Sequence, residues 1–176
     1  MAKSPKRKEY LKDYVRGENG KYSYSGKVYL FYGTESERKS AYARLLILAA
    51  VLLASIVASG LIDAPCAIRA FYVIVPFIGE VCAFFALAWY LSKILLEGKE
   101  LRGYVFETAN NRIEPAATIL MFFAAFGIAA AGLYLIFHGF EGEMFKSLFY
   151  LVLKGCNGIL AFCFKKYYNK LQWVLK

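Results

Sequence analysis

Four apolar stretches, residues 45–62, 70–96, 116–137 and 144–164, follow one another along the chain and leave little else from which to build a core. At a rise of about 1.5 Å per residue, each helix they form reaches across a hydrocarbon layer of about 30 Å. A water-soluble bundle would need polar stripes at 3.6-residue spacing, and residues 45–55 have almost none. A hydrophobic share of 59% over 176 residues exceeds what a soluble core of this size uses. The expected fold is an all-α membrane protein, a four-transmembrane-helix bundle, with a small amphipathic helix and a β-hairpin ahead of it. The expected division is residues 1–41 for that module, 42–164 for the bundle and 165–176 for a basic tail.

Charge placement orients such a bundle, because Lys and Arg collect on the cytoplasmic side. Eleven basic residues precede the first span, including Arg38, Lys39 and Arg44 close to it. The connection between spans one and two carries Arg69 alone, and residues 138–143 carry two Glu and no Lys or Arg. The middle connection adds Lys93, Lys99, Arg102 and Arg112, and the tail adds Lys165, Lys166, Lys170 and Lys176. Both termini are therefore expected in the cytoplasm, across a membrane of the bacterial cytoplasmic type. The net charge of +9 sits on faces that meet anionic headgroups, so it calls for no nucleic acid. Lys6, Arg7, Lys8, Lys12, Arg38, Lys39, Arg44, Lys165 and Lys166 are the expected headgroup contacts. A cleaved secretory leader is not expected, since about forty hydrophilic residues come before the first apolar run.

Ahead of the spans, Ser4-Pro5 reads as a helix start, and Tyr10, Leu11, Tyr14 and Val15 fall on one face of a basic helix ended by Gly17. Residues 22–32 are rich in aromatic and β-branched types and are interrupted by Ser25-Gly26, a hairpin signal. Two strands alone are marginal in water, so this ribbon must lean on something else. Thr34-Glu35-Ser36-Glu37 is a capping box, and the helix it starts is expected to run unbroken into the first span. Ala50, Ala54 and Ala58 recur at four-residue spacing there, and Gly127 and Ala131 give the third span a similar small surface. Those two spans are the expected tight pair. In the middle connection, Gly98 and Asn110-Asn111 supply breaks, and Pro115 suits the first turn of the third helix.

Glu80 and Lys154 stand near the middle of the second and fourth spans, where charge is expensive. Each lies ten residues from the start of its apolar run, about 15 Å below the same end of the bundle. They are thus placed to pair and fix which helices are neighbours. Alternatively, Glu80 is a coupling carboxylate with Lys154 as its electrostatic regulator. Pro76 and Gly79, just before Glu80, introduce a kink or an unwound stretch. Asn157, one turn after Lys154, adds a hydrogen-bonding amide between Gly155 and Gly158.

Catalytic templates are missing: no Gly-x-Ser-x-Gly, no His-Glu-x-x-His, no P-loop and no acidic cluster. The single His138 has no second histidine with which to hold a metal. Cysteines at 66, 82, 156 and 163 form no Cys-x-x-Cys, which removes quinone-linked disulfide-forming enzymes. Small multidrug exporters share only the number of spans and a membrane glutamate, here moved to the second span beside an extra Lys. The expectation is a protein without catalytic residues, cofactor or metal, serving as an accessory, regulatory or scaffolding membrane subunit. Its partners are the bilayer and another membrane protein or itself. The alternative is a small oligomeric proton-coupled transporter.

Overall fold

The computed structural model describes residues 13–16 and 22–176, and it is mostly helical. Three short strands come first: β1 (Tyr14–Arg16), β2 (Tyr22–Tyr24) and β3 (Val28–Phe31). Helix α1 (Glu35–Leu61) opens on the capping box read from the sequence. The Thr34 hydroxyl accepts from the Glu37 amide at 3.2 Å, and Glu37 Oε2 accepts from the Thr34 amide at 2.7 Å. A single turn, α2 (Pro65–Ile68), leads to α3 (Phe71–Glu97). Gly98, at a φ of +80° that a β-carbon resists, turns the chain into β4 (Glu100–Arg102). Helix α4 (Gly103–His138), α5 (Met144–Tyr168) and β5 (Trp173–Leu175) complete the order.

All four long helices are long and apolar enough to cross a membrane. Only 28% of the most apolar window of α1, and 33% of each of the other three, is buried. Interior packing therefore accounts for a minority of the apolar residues. Val51, Ile78, Phe85, Trp89, Phe122 and Phe149 lie on the outside of the bundle, while Glu80 and Lys154 lie inside it.

Packing runs around a ring. Helix α4 packs on α3 and on α5, and α1 closes the ring against α5 and α3, so α1 faces α4 across one diagonal and α3 faces α5 across the other. The expected α1–α4 pair is thus not the tight contact. Ala50 and Ala54 are exposed, and α1 turns Leu45, Ala49, Leu52 and Ile56 inward instead, because larger side chains fill the groove beside α5. The small surface of α4 is buried as expected, with Gly127 and Ala131 inside. Apolar layers stack along the axis: one around Leu45, Leu87, Ile113 and Phe164, one around Leu52, Phe84, Leu120 and Ala161, and one around Val73, Ala131, Tyr134 and Tyr150.

The strands gather at the end of the bundle away from α2. The aromatic segment forms strands, as its composition implies, but its two halves do not pair with each other. β2 pairs with β1, Tyr24 opposite Tyr14, while β3 is the centre of a three-stranded antiparallel sheet between β4 and β5. Residues 14–16, expected at the end of a basic helix, are therefore strand; the rest of that expected helix lies outside the described residues. Tyr14 and Val15 have the aromatic and β-branched side chains that favour this outcome. The middle connection is helical on both sides of the turn at Gly98, since α3 runs to Glu97 and α4 starts at Gly103, with β4 set between them; the end of the basic tail becomes β5. Asn110-Asn111 lie within unbroken α4, and Pro115 is inside that helix rather than in its first turn. Tyr29 stacks on Phe106 at 4.1 Å, and Trp173 packs against Phe106 and Phe31 at 5.6 and 5.8 Å.

Those ring contacts hold β5 on β3, since strands of three and four residues supply few hydrogen bonds of their own. Trp173→Ala is expected to cost about 1–3 kcal/mol locally. Hydrogen exchange at the amides of residues 28–31 should quicken, with the amides of α3 and α5 unchanged.

Candidate functional site

At the centre of the bundle, α3 contributes Glu80 and α5 contributes Lys154 and Asn157, all three with no exposed surface. Lys154 Nζ donates to Glu80 Oε2 at 2.9 Å, and Asn157 Nδ2 donates to the same oxygen at 3.1 Å. The spacing explains the convergence: residues 154 and 157 are almost one turn apart, so both reach one carboxylate on the diagonal helix. Glu80 Oε1 and Asn157 Oδ1 meet no donor among the described residues. The pair joins α3 to α5 through the middle of the ring, between the layers of Phe84 and Tyr150.

Two rings flank the ammonium, Phe77 at 4.7 Å and Tyr150 at 5.4 Å from Nζ. A desolvated cation against aromatic faces gains about 2 kcal/mol or more. Neither ring was singled out in the sequence, although Phe77 lies three residues before Glu80 and Tyr150 four before Lys154, one turn along the same faces. Gly127 of α4 was read as a helix-packing residue; it faces the pair itself. A β-carbon there would lie 3.6 Å from Lys154 Cδ and 3.7 Å from Glu80 Oε1, so α4 leaves just enough room for the pair to cross.

Pro76 is buried, and α3 continues through it as helix, so the segment is not unwound. Gly79 serves packing: the Phe123 ring sits 2.6 Å from where its β-carbon would be. Phe77 uses Gly60 of α1 in the same way, also at 2.6 Å. These ring-on-glycine contacts draw α1 and α4 close to α3 at the level of the ion pair.

The expected headgroup residues divide. Lys6, Arg7, Lys8 and Lys12 lie outside the described residues. Lys39 pairs with Glu35 at 3.0 Å, and Arg44 and Lys166 are exposed. Arg38 is half-buried. Lys165 turns toward α4, 3.0 Å from Glu114 and 3.1 Å from the Thr118 hydroxyl. At the other end of the bundle, Arg69 pairs with Glu141, which also accepts from the Tyr134 hydroxyl at 2.7 Å. His138 stacks on Tyr134 at 4.5 Å. Burial pushes the Cys66 thiol above its ordinary pKa, so that cysteine is a poor nucleophile. No group of three His, Cys, Asp or Glu among the described residues is arranged to hold a metal ion.

No family model matches the chain. Comparison with curated proteins and with solved structures likewise finds no match.

The two glycines around the cluster differ in what they tolerate. Gly79→Ala forces the whole Phe123 ring to move and should destabilise the bundle by about 1–3 kcal/mol. Gly127→Ala makes only ordinary contacts and should change stability by less than about 1 kcal/mol. Thermal unfolding of both variants in the same detergent reads the difference.

Proposed function

We propose that this protein is a multi-pass membrane protein of the bacterial cytoplasmic membrane, with both termini in the cytoplasm, acting without catalysis as an accessory, regulatory or scaffolding subunit. Membrane insertion is supported by the apolar exterior of four helices whose two mid-span charges, Glu80 and Lys154, are buried inside the bundle. Orientation is supported by the basic excess at the strand-bearing end. The observation that carries the functional reading is closure of the central pair. Glu80 and Lys154 are fully buried and directly bonded, with Phe77 and Tyr150 against the ammonium, and neither lines the clefts beside Lys93, Asn111, Asp63 or Asn169. A carboxylate neutralised by a fixed ammonium and sealed from both ends suits a fastener better than a site that must exchange protons or cargo.

One observation favours the transporter alternative: Glu80 Oε1 and Asn157 Oδ1 are buried acceptors without a donor among the described residues. A proton or a water passing through the bundle would satisfy them.

Lys154→Met alone leaves a buried carboxylate unpaired, which costs about 3–5 kcal/mol. Its yield of monodisperse protein in mild detergent should fall, and the double variant Glu80→Gln with Lys154→Met should recover it. A transporter predicts a different split, in which the double variant assembles normally and loses proton-coupled flux in vesicles. Subunit status is read by purifying the native protein in mild detergent or nanodiscs and identifying what accompanies it. A stoichiometric foreign membrane protein supports the accessory role; a clean homo-oligomer with flux abolished in Glu80→Gln overturns it.

A further inference from the structure

Between the last turns of α3 and the first turns of α4 lies a cleft of about 460 Å³ lined by Lys93, Glu97, Arg102, Tyr104 and Thr108. We propose that it binds the phosphate of an anionic phospholipid headgroup, on the same side of the bundle as the strands. The inference rests on the membrane reading above and adds a ligand to it.

The volume falls within the range of about 300–1,000 Å³ typical of small-molecule sites. Two cations line the cleft against one carboxylate, and that carboxylate is already held by Arg102 Nε at 3.7 Å. Arg102 Nη1 also donates to the Tyr14 hydroxyl at 3.0 Å, which fixes the guanidinium at the rim. With five N–H donors it retains capacity for a further acceptor. Lys93 has no carboxylate partner among the described residues; its ammonium lies 5.3 Å from the Trp89 ring and 5.7 Å from the Tyr90 ring. Leu96 and Val105 complete the lining, and a cation parked on aromatic faces at the edge of such a mixed cleft is available to an incoming anion.

The surroundings match a lipid. Trp89 is 62% exposed and lies one turn before Lys93, where an amphipathic ring suits the glycerol level of a bilayer. Thr108, one turn beyond Tyr104 on α4, offers a hydroxyl on the opposite wall. Basic pockets between membrane helices on the cytoplasmic side are a recurrent way of holding phosphate headgroups. Of the residues read from the sequence as headgroup contacts, the described ones, Arg38, Lys39, Arg44, Lys165 and Lys166, do not line this cleft, because its cations are set apart in sequence and the turn at Gly98 brings them together.

The test uses the full chain, freed of lipid in detergent and titrated with phosphatidylglycerol, phosphatidylcholine or inorganic phosphate under native mass spectrometry. Phosphatidylglycerol should be retained in preference to phosphatidylcholine, and Lys93→Gln should weaken its binding by about fivefold or more. Lys93 makes no ion pair among the described residues, so this variant should keep the wild-type unfolding temperature, and Lys93→Arg should restore binding. Removing two exposed charges elsewhere, with Lys166→Gln and Lys170→Gln, should leave the preference intact. Equal retention of the two lipids, an equal loss in the Lys166/Lys170 variant, or displacement of the lipid by millimolar inorganic phosphate overturns the assignment. Alkaline extraction of native membranes separates the two levels: release of the protein overturns the membrane reading itself, whereas retention without lipid preference overturns only the headgroup site.

Discussion

The diagonal ion pair between Glu80 and Lys154 is the constraint around which the bundle is arranged. In a ring of four helices, neighbours can choose one another through grooves and ridges, but the two helices on a diagonal touch only if long side chains bridge the centre. Glu80 and Lys154 supply that bridge at 2.9 Å, and everything at their level makes way for it. Gly127 opens the wall contributed by α4, Phe77 and Tyr150 close over the ammonium, and Asn157 shares the carboxylate. Slipping α3 against α5 by a single turn would move the charges about 5.4 Å apart and leave both buried without partners. One pair therefore sets the register as well as the neighbourhood.

The strand-bearing end solves a different problem. Three segments remote in sequence, residues 28–31, 100–102 and 173–175, meet in one sheet, so the entry to α1, the α3–α4 connection and the exit from α5 are tied at a single place. Lys176 adds an ion pair to Glu100 at 2.7 Å, which holds the Glu100 carboxyl below its usual range. That stabilisation is present above the ordinary carboxylate pKa and fades as pH falls through the lowered one. Both side chains are more than half exposed, so the effect is small. Aromatic stacking around Phe106 and Trp173 carries most of the junction.

Legibility in the sequence followed the range of the signal. The four helices announced themselves through long apolar runs, and the capping box at Thr34 through a local pattern of four residues. The level of Glu80 and Lys154 was readable because both lie ten residues into a span, and helix geometry is uniform. Strands β4 and β5 were not readable: three residues give no periodicity, and both exist only because β3 lies between them. The misplaced packing partner of α1 has a related cause. Ala50, Ala54 and Ala58 form a regular strip, but which strip of a helix turns inward is decided by neighbours whose order the sequence does not state. Gly127 was noticed for its size and assigned the wrong purpose, since its role depends on two side chains from other helices.

Two solvents imply two kinds of adhesive, and the protein uses both. With the bundle placed in a bilayer, as proposed, lipid tails are as apolar as the helices, so apolar contact alone gives the helices little reason to associate. What remains is close packing on small residues, as at Gly60 and Gly79, and polar attraction in a low-dielectric interior, as at Glu80. At the strand-bearing end water is the competing solvent, and burying rings such as Phe106 and Trp173 is again favourable. The partition explains why the fully buried ion pair lies at the centre of the bundle and the ring cluster of Tyr29, Phe31, Phe106 and Trp173 at its margin. It also explains why the central carboxylate takes two donors, Lys154 and Asn157, on one oxygen: in hydrocarbon an unfastened carboxylate would pull water or a stray cation into the bundle, and the ring would lose the contact that crosses it.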